Sequence, residues 1–149
     1  MSAIHFRGGY KYQLSNSYEV VIDIKPPDDI RCYYIELERN GLLRIRQGYA
    51  WDGPSGPTID TLNFMRGSLV HDALYQLMRE KFLDHDTYRD AADRVLQQIC
   101  LEDGMSLMRA WYVYHAVRLF GNPAADPRAE KPVTVAPNSE AAKRAVQAN

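Results

Sequence analysis

The sequence predicts an α+β fold in which a small N-terminal antiparallel sheet, a β-meander, packs on a C-terminal antiparallel three-helix bundle. Residues 10–48 are rich in Tyr, Val and Ile at short spacing, whereas residues 67–120 place apolar residues at helical spacing. All sixteen aromatic residues lie at or before Phe120, and residues 121–149 hold four of the eight prolines. We therefore expect one domain over residues 1–120, followed by a flexible Pro/Ala-rich tail over residues 121–149.

Turn residues divide the strand region into short segments. The predicted strands cover residues 11–14, 18–24, 31–38 and 42–47. Asn40-Gly41 is the strongest local signal, because a two-residue type I′ hairpin prefers this dipeptide. In the third strand Tyr33 and Tyr34 are adjacent, which interrupts strict alternation and leaves one of them to be exposed or to contact the helices.

Three amphipathic segments follow, at residues 68–80, 87–101 and 106–120. Ser68 is the expected N-cap of the first, and Asp86 or Thr87 opens the second. Short connections between the segments predict antiparallel neighbours. A loop over residues 49–66, rich in Gly and Pro, joins the sheet to the helices, and loops of this kind often carry function.

Composition excludes several classes of protein. The formal net charge is −1, which gives no general attraction to nucleic acid. No apolar run approaches the length of a membrane span, and no signal segment is visible. Cys32 and Cys100 are too few for a disulfide framework, so a reducing cytoplasm fits best.

His71 and Asp93 form the first candidate site. On a helical wheel His71 lies at the edge of the apolar arc of the first predicted helix, and Asp93 lies at the edge of the arc of the second. Antiparallel pairing about a turn at residues 82–86 lets these two side chains face each other. A carboxylate on one imidazole nitrogen leaves the other free to take a proton, which is the outline of a general-base dyad.

Asp72 projects about 100° away from His71 on the same helix. With Asp52, Asp60 or loop carbonyl oxygens it could bind Ca²⁺ or Mg²⁺, since both ions prefer oxygen ligands. The alternative for the dyad is structural, with His71 a hydrogen-bonded core histidine and Asp93 its partner or a partner of Arg89.

Several short motifs occur in a fixed order along the chain. Asp52-Gly53, the run Leu69-Val70-His71-Asp72-Ala73-Leu74-Tyr75, Ala92-Asp93-Arg94 and Ala116-Val117-Arg118-Leu119-Phe120-Gly121 follow one another. In this order the chain resembles a family of small uncharacterised bacteriophage and prophage proteins over most of residues 10–121. The resemblance implies a phage or prophage origin, with the host cytoplasm or the virion as location, and the same layout of strands before helices.

The arrangement of glycine-rich loop, His-Asp-x-x-Tyr and a later Asp-Arg is also similar to that of the secreted phospholipases A₂. That likeness implies that His71 activates water, that Asp93 orients it and that Tyr75 belongs to the catalytic group. It further implies that Asp72 is a calcium ligand and that backbone carbonyls around Trp51, Gly53 and Ser55 are the other ligands. Asp52 is a candidate ligand from the sequence itself, as described above. The cysteines of those enzymes are absent, and Leu74 stands where one is expected.

Other candidates have simpler structural explanations. His115 lies among aromatic residues and is expected to pack, and His85 is expected in an exposed turn. Cys32 and Cys100 lack the spacing of a zinc site and are expected to be buried thiols. Arg39, Arg44 and Arg46 form a basic strip that is typical of a solvated strand face.

Two functions remain open from the sequence. The first is metal-assisted hydrolysis of an ester-like bond in a small-molecule or lipid-like substrate. The second is a non-enzymatic phage protein, of structural, lysis-associated or host-defence-countering type, that binds a phage or host protein.

Overall fold

The computed structural model describes residues 4, 6–7, 12–53 and 61–129. The predicted order of strands followed by helices is confirmed. The described part of the chain begins with seven short strands: β1 Phe6–Arg7, β2 Tyr12–Leu14, β3 Tyr18–Val21, β4 Ile30–Arg31, β5 Ile35–Leu37, β6 Leu42–Ile45 and β7 Ala50–Trp51. The helices are α1 Leu62–Arg79, α2 His85–Glu102, α3 Leu107–Phe120 and the short α4 Asn122–Ala125. Within the described residues no helix combines the length and hydrophobicity needed to cross a bilayer.

The strands form two antiparallel sheets where the sequence predicts one meander. One sheet has the order β1-β2-β7 and the other the order β3-β6-β5-β4. In the larger sheet Leu43 and Ile45 face the core and are fully buried, while Arg44 between them pairs with Glu19 on the outer face. Alternation along the strands therefore sets which face meets the helices.

The predicted strand over residues 31–38 is divided into β4 and β5. A turn interrupts it, because the amide of Cys32 donates to the carbonyl of Ile35. This turn directs Tyr33 into solvent with 78% of its surface exposed, so the adjacent tyrosines mark a break in the strand.

The predicted hairpin at Asn40-Gly41 is present, but its turn is not type I′. Gly41 has a φ of +91°, whereas Asn40 keeps a negative φ. The amide of Gly41 donates to the carbonyl of Glu38, so a turn is followed by one left-handed glycine. This is the usual geometry of a three-residue hairpin loop.

Helix α1 begins six residues earlier than the sequence predicts, with Thr61 as its N-cap. The predicted capping role of Ser68 is wrong, and the predicted loop over residues 49–66 loses its last five residues to this helix. Ser68 is buried inside α1, where its hydroxyl donates to the carbonyl of Met65 and accepts from the Trp51 indole. A serine that looks like a cap in the sequence can therefore lie inside a helix when its hydroxyl finds partners there.

The caps of the next two helices are Asp84 and Ser106. Asp84, rather than Asp86 or Thr87, caps α2 by accepting from the Thr87 amide. Ser106, the expected first residue of the third helix, is instead the N-cap of α3, and its side chain accepts from the Arg109 amide. The start of the expected flexible tail is ordered, since α4 is followed by a 3₁₀ turn at Pro127–Ala129, while residues 130–149 lie outside the described part.

The main core lies between the larger sheet and α1. It joins Leu37, Leu43 and Ile45 of the sheet to Leu74 and Met78 of α1. Helix α2 packs against both α1 and α3, and a second cluster fills the space near Phe64, Leu96 and Ala110. Helix α1 is therefore the most enclosed helix, and it carries the candidate site.

Candidate active site

Helix α1 presents His71 and Tyr75 on one face, one turn apart. Their ring centroids lie 4.0 Å from each other, as expected of an i, i+4 pair. Both side chains are buried, with 7% of His71 and 3% of Tyr75 exposed. The polar atoms of both must therefore find partners inside the protein.

Asp93 of α2 is that partner. Its side chain is fully buried, and Oδ1 lies 2.7 Å from His71 Nε2 and accepts a 2.5 Å hydrogen bond from the Tyr75 hydroxyl. The predicted facing of His71 and Asp93 is thus confirmed. Their assigned roles in catalysis stay predictions.

The contact with Asp93 fixes the tautomer of the neutral His71 imidazole. A carboxylate accepts hydrogen bonds, so the neutral ring of His71 carries its proton on Nε2 and its lone pair on Nδ1. Among the described residues, Asp93 is the hydrogen-bond partner that the structure gives His71. The dyad therefore has the tautomer that a general base needs.

Arg118 of α3 is the third partner of Asp93, and the sequence analysis did not single it out for the site. Its Nη1 donates to Asp93 Oδ2 over 3.1 Å, and its Nε lies 3.7 Å from Asp90. The expected alternative, an ion pair of Asp93 with Arg89, is wrong. Arg89 instead donates to the carbonyls of Val117 and Arg118 at the end of α3.

Asp72 points away from the dyad, as the wheel predicts, and lines a cleft of about 410 Å³. The cleft also contains Asp52, Tyr75 and Arg79. Burial raises the pKa of Asp72 to about 6, partly offset by His71 and by a backbone hydrogen bond from Asp52, while the Asp52 charge raises it further. A carboxyl group that titrates near neutral pH in a cleft is a candidate functional group.

Tyr75 connects the cleft to the dyad. It lines the cleft and donates to Asp93, whereas His71 and Asp93 are not among the lining residues described. Burial, together with the hydrogen bond to Asp93, raises the pKa of Tyr75. The phenol therefore keeps its proton and remains a donor at neutral pH.

The predicted cation ligands lie partly at this cleft. Asp52, Asp72, Trp51 and Gly53 all line it, whereas Ser55 and Asp60 fall outside the described residues. Trp51 is held by the hydrogen bond from its indole Nε1 to Ser68 Oγ, at 3.1 Å. Gly53 has a φ of +74°, and a Cβ there would lie 2.5 Å from the Tyr12 ring, so this backbone position requires glycine.

Two carboxylates and neighbouring carbonyl groups fit the chemistry of a hard cation. In the described part of the chain no group of three or more His, Cys, Asp or Glu side chains is placed to hold a metal. A cation at this cleft would therefore depend on backbone carbonyl oxygens, and its presence stays a prediction.

Residues 31–117 match the model of the DUF1353 family, whose description is 'protein of unknown function'. The match spans more than half of the 149 residues. The chain belongs to the DUF1353 family. No curated protein and no solved structure matches it.

Membership in DUF1353 confirms the expectation of an uncharacterised family. The matched segment contains the whole of α1 and α2, and hence both members of the dyad. The family description carries no activity, so it assigns no role to His71 or Asp93.

The weaker candidates of this DUF1353 chain have ordinary structural roles. His85 Nε2 lies 2.9 Å from Asn122 Oδ1, and His115 stacks on Trp111 with ring centroids 4.3 Å apart. Cys100 is buried and Cys32 is half-buried, and both are free thiols. Arg44 and Arg46 pair with carboxylates on the outer face of the sheet, so the basic strip is neutralised.

Proposed function

We propose that this protein hydrolyses an ester-like bond, with His71 as the general base and Asp93 as the group that orients it. The observation that carries the proposal is the 2.7 Å contact between His71 Nε2 and a fully buried Asp93. A carboxylate so placed fixes the imidazole tautomer and stabilises the imidazolium that forms during reaction.

The reaction proceeds in two proton transfers. His71 Nδ1 takes a proton from water as the water oxygen attacks the carbonyl carbon of the substrate. The bond from that carbon to the leaving oxygen then breaks, and the imidazolium gives its proton to the leaving alkoxide. Throughout, Asp93 accepts hydrogen bonds from Tyr75 and Arg118, which hold it in place.

A divalent cation is the proposed cofactor. Asp72 and Asp52, with carbonyl groups near Trp51 and Gly53, are the residues that would hold Ca²⁺ or Mg²⁺. When bound, such an ion would stabilise negative charge on the substrate oxygen. Asp72 and Asp52 line the same cleft, and their carboxylates supply the oxygen donors that such an ion prefers.

The proposed setting is a phage or prophage protein in the host cytoplasm or the virion, which acts on a small-molecule or lipid-like substrate. Two free cysteines are consistent with a reducing compartment. The likeness to phospholipases A₂ supports the geometry of the site more than it supports a lipid substrate.

Comparison of the wild-type chain with His71→Gln tests the proposal. The side-chain amide of glutamine can still donate to Asp93, but it cannot act as a base, so folding is retained while the chemistry is removed. We expect kcat/KM on chromogenic esters of increasing chain length and on phospholipid micelles to fall at least about 100-fold. Assays with excess Ca²⁺ and with chelator measure the contribution of the cation.

His115→Gln is the matched control, because His115 is an exposed histidine on α3 outside the site. It should retain wild-type activity. Hydrolysis that survives in His71→Gln, or a wild-type chain with no activity on any ester of the panel, would contradict the proposal.

A non-enzymatic binding protein is the second candidate, and one observation favours it. Asp93 joins α1 to α3 through His71, Tyr75 and Arg118, an arrangement that also stabilises a fold. On this reading both His71→Gln and the wild type lack esterase activity, and divalent ions leave the melting temperature unchanged.

A further inference from the structure

Helix α3 exposes an unusually large apolar surface. Six of the eleven exposed large hydrophobic side chains in the described part of the chain lie on this helix, so the exposure is concentrated there. Leu107, Met108, Leu119 and Phe120 are each at least 75% exposed, and Trp111 is 58% exposed. Contiguous apolar surface of this kind marks an interaction site.

We propose that this face of α3 is where two copies of the chain associate. The proposal goes beyond the hydrolytic function and is independent of it. Three properties of the face favour a second copy: its area, its charge and the spacing of its residues.

The area matches what a stable dimer needs. Aromatic side chains present about 150 to 250 Å² each when fully exposed, and Leu and Met present somewhat less. At the exposed fractions given above, the five named side chains together offer on the order of 700 Å². A specific interface of ordinary size covers about 800 Å² on each partner. One helix face thus supplies most of the apolar area.

The charge of the face permits self-association. Helix α3 contains no acidic residue, and neither α2 nor α3 contains lysine. The exposed positions Met108, Tyr112, His115 and Leu119 include no Lys, Arg, Asp or Glu, so two copies can meet along them without opposing like charges. Arg118, which adjoins Leu119 in the sequence, is already paired with Asp93 and Asp90. A helix that binds an anionic membrane ordinarily keeps unpaired Lys or Arg along its boundary.

The spacing predicts how two copies pack. Met108, Tyr112, His115 and Leu119 follow one another by four, three and four residues, the repeat that forms a helix–helix seam. In an antiparallel pair Met108 meets Leu119 of the second copy, and Tyr112 meets its His115. In this antiparallel orientation the dipoles of the two helices point in opposite directions, which favours the pairing.

Sedimentation velocity over a concentration series of the full chain tests the proposal. We expect a species of twice the 17.1 kDa chain mass for the wild type. Leu119→Glu should weaken dimerisation at least tenfold, because a two-fold interface contains each substitution twice. Val21→Glu is the control, since Val21 is 71% exposed on β3, far along the chain from α3, and should leave the dimer intact.

Cross-linking provides a second measurement that does not depend on affinity. Under mild oxidation an equimolar mixture of Met108→Cys and Leu119→Cys should form a disulfide-linked dimer, while wild-type chain, with Cys32 and Cys100 alone, should not. A wild type that stays monomeric at millimolar concentration overturns the proposal. A monomer that binds anionic vesicles through Leu119 also overturns it, in favour of a membrane surface.

Discussion

Asp72→Asn should stabilise the folded protein at neutral pH. Burial raises the pKa of Asp72 from 3.8 to about 6, so the ionised carboxylate is unfavourable in the folded state. A shift of about two pKa units corresponds to at most about 3 kcal/mol, and the remaining solvent contact of this side chain reduces it to about 1 to 2 kcal/mol. Asparagine has the same shape, can accept the same backbone hydrogen bond and carries no charge.

Because the pKa of Asp72 is raised in the folded state, the stabilisation by Asp72→Asn depends on pH. Between pH 4 and pH 6 the folded state binds more protons at Asp72 than the unfolded state, so this group lowers stability as the pH rises. The melting temperature of Asp72→Asn minus that of the wild type should be near zero at pH 4. It should grow to about 3 to 6 °C by pH 7 and then stay constant.

Calorimetry from pH 4 to pH 8 in chelator measures this difference. Asp28→Asn, at an exposed aspartate between β3 and β4, is the control and should show no such rise. A difference that does not change with pH, or a variant that is less stable than the wild type at pH 7, would refute the reasoning. If Asp72 also binds a cation, excess Ca²⁺ should stabilise the wild type and not the variant.

Two further substitutions test the fold around the site. Asp93→Ala should lower the free energy of unfolding by about 3 to 5 kcal/mol, measured by urea denaturation, because it leaves buried donors and the Arg118 charge without their partner. Gly41→Ala should cost about 2 kcal/mol or more in the same assay, since Gly41 has a φ of +91° and a Cβ there would lie 2.3 Å from the Ile22 carbonyl oxygen. An Asp93→Ala variant as stable as the wild type, or a Gly41→Ala variant with an unchanged denaturation midpoint, would contradict these expectations.

The order of strands before helices, and the pairing of His71 with Asp93, could be predicted from the sequence. Both depend on local periodicity and on the length of one turn, which together fix which helix faces meet. The division into two sheets could not be predicted, because it depends on β7, whose two residues carry almost no pattern. The break of the third predicted strand depends on the turn at Cys32.

The early start of α1 was missed for a related reason. Ser68 has the side chain of an N-cap, and only tertiary contacts with Trp51 and Met65 satisfy it within the helix. The hydrogen bond from Arg118 to Asp93 could not be predicted, because it depends on the position of α3 relative to α2, and no local sequence signal supplies that position. Tyr75 was assigned to the site by resemblance, and the structure adds that it donates to Asp93 and lines the cleft.

Helix α3 connects the two proposals. It supplies Arg118 to Asp93, and it also carries the exposed apolar side chains. Because Arg118 donates to the fully buried Asp93, the position of α3 affects how the dyad is held as well as the fold. Leu119→Glu changes a side chain that is 75% exposed and leaves Arg118 in place, so it should weaken the dimer while the His71–Asp93 contact stays intact. A monomeric Leu119→Glu chain with full esterase activity would then show that the site needs one copy alone.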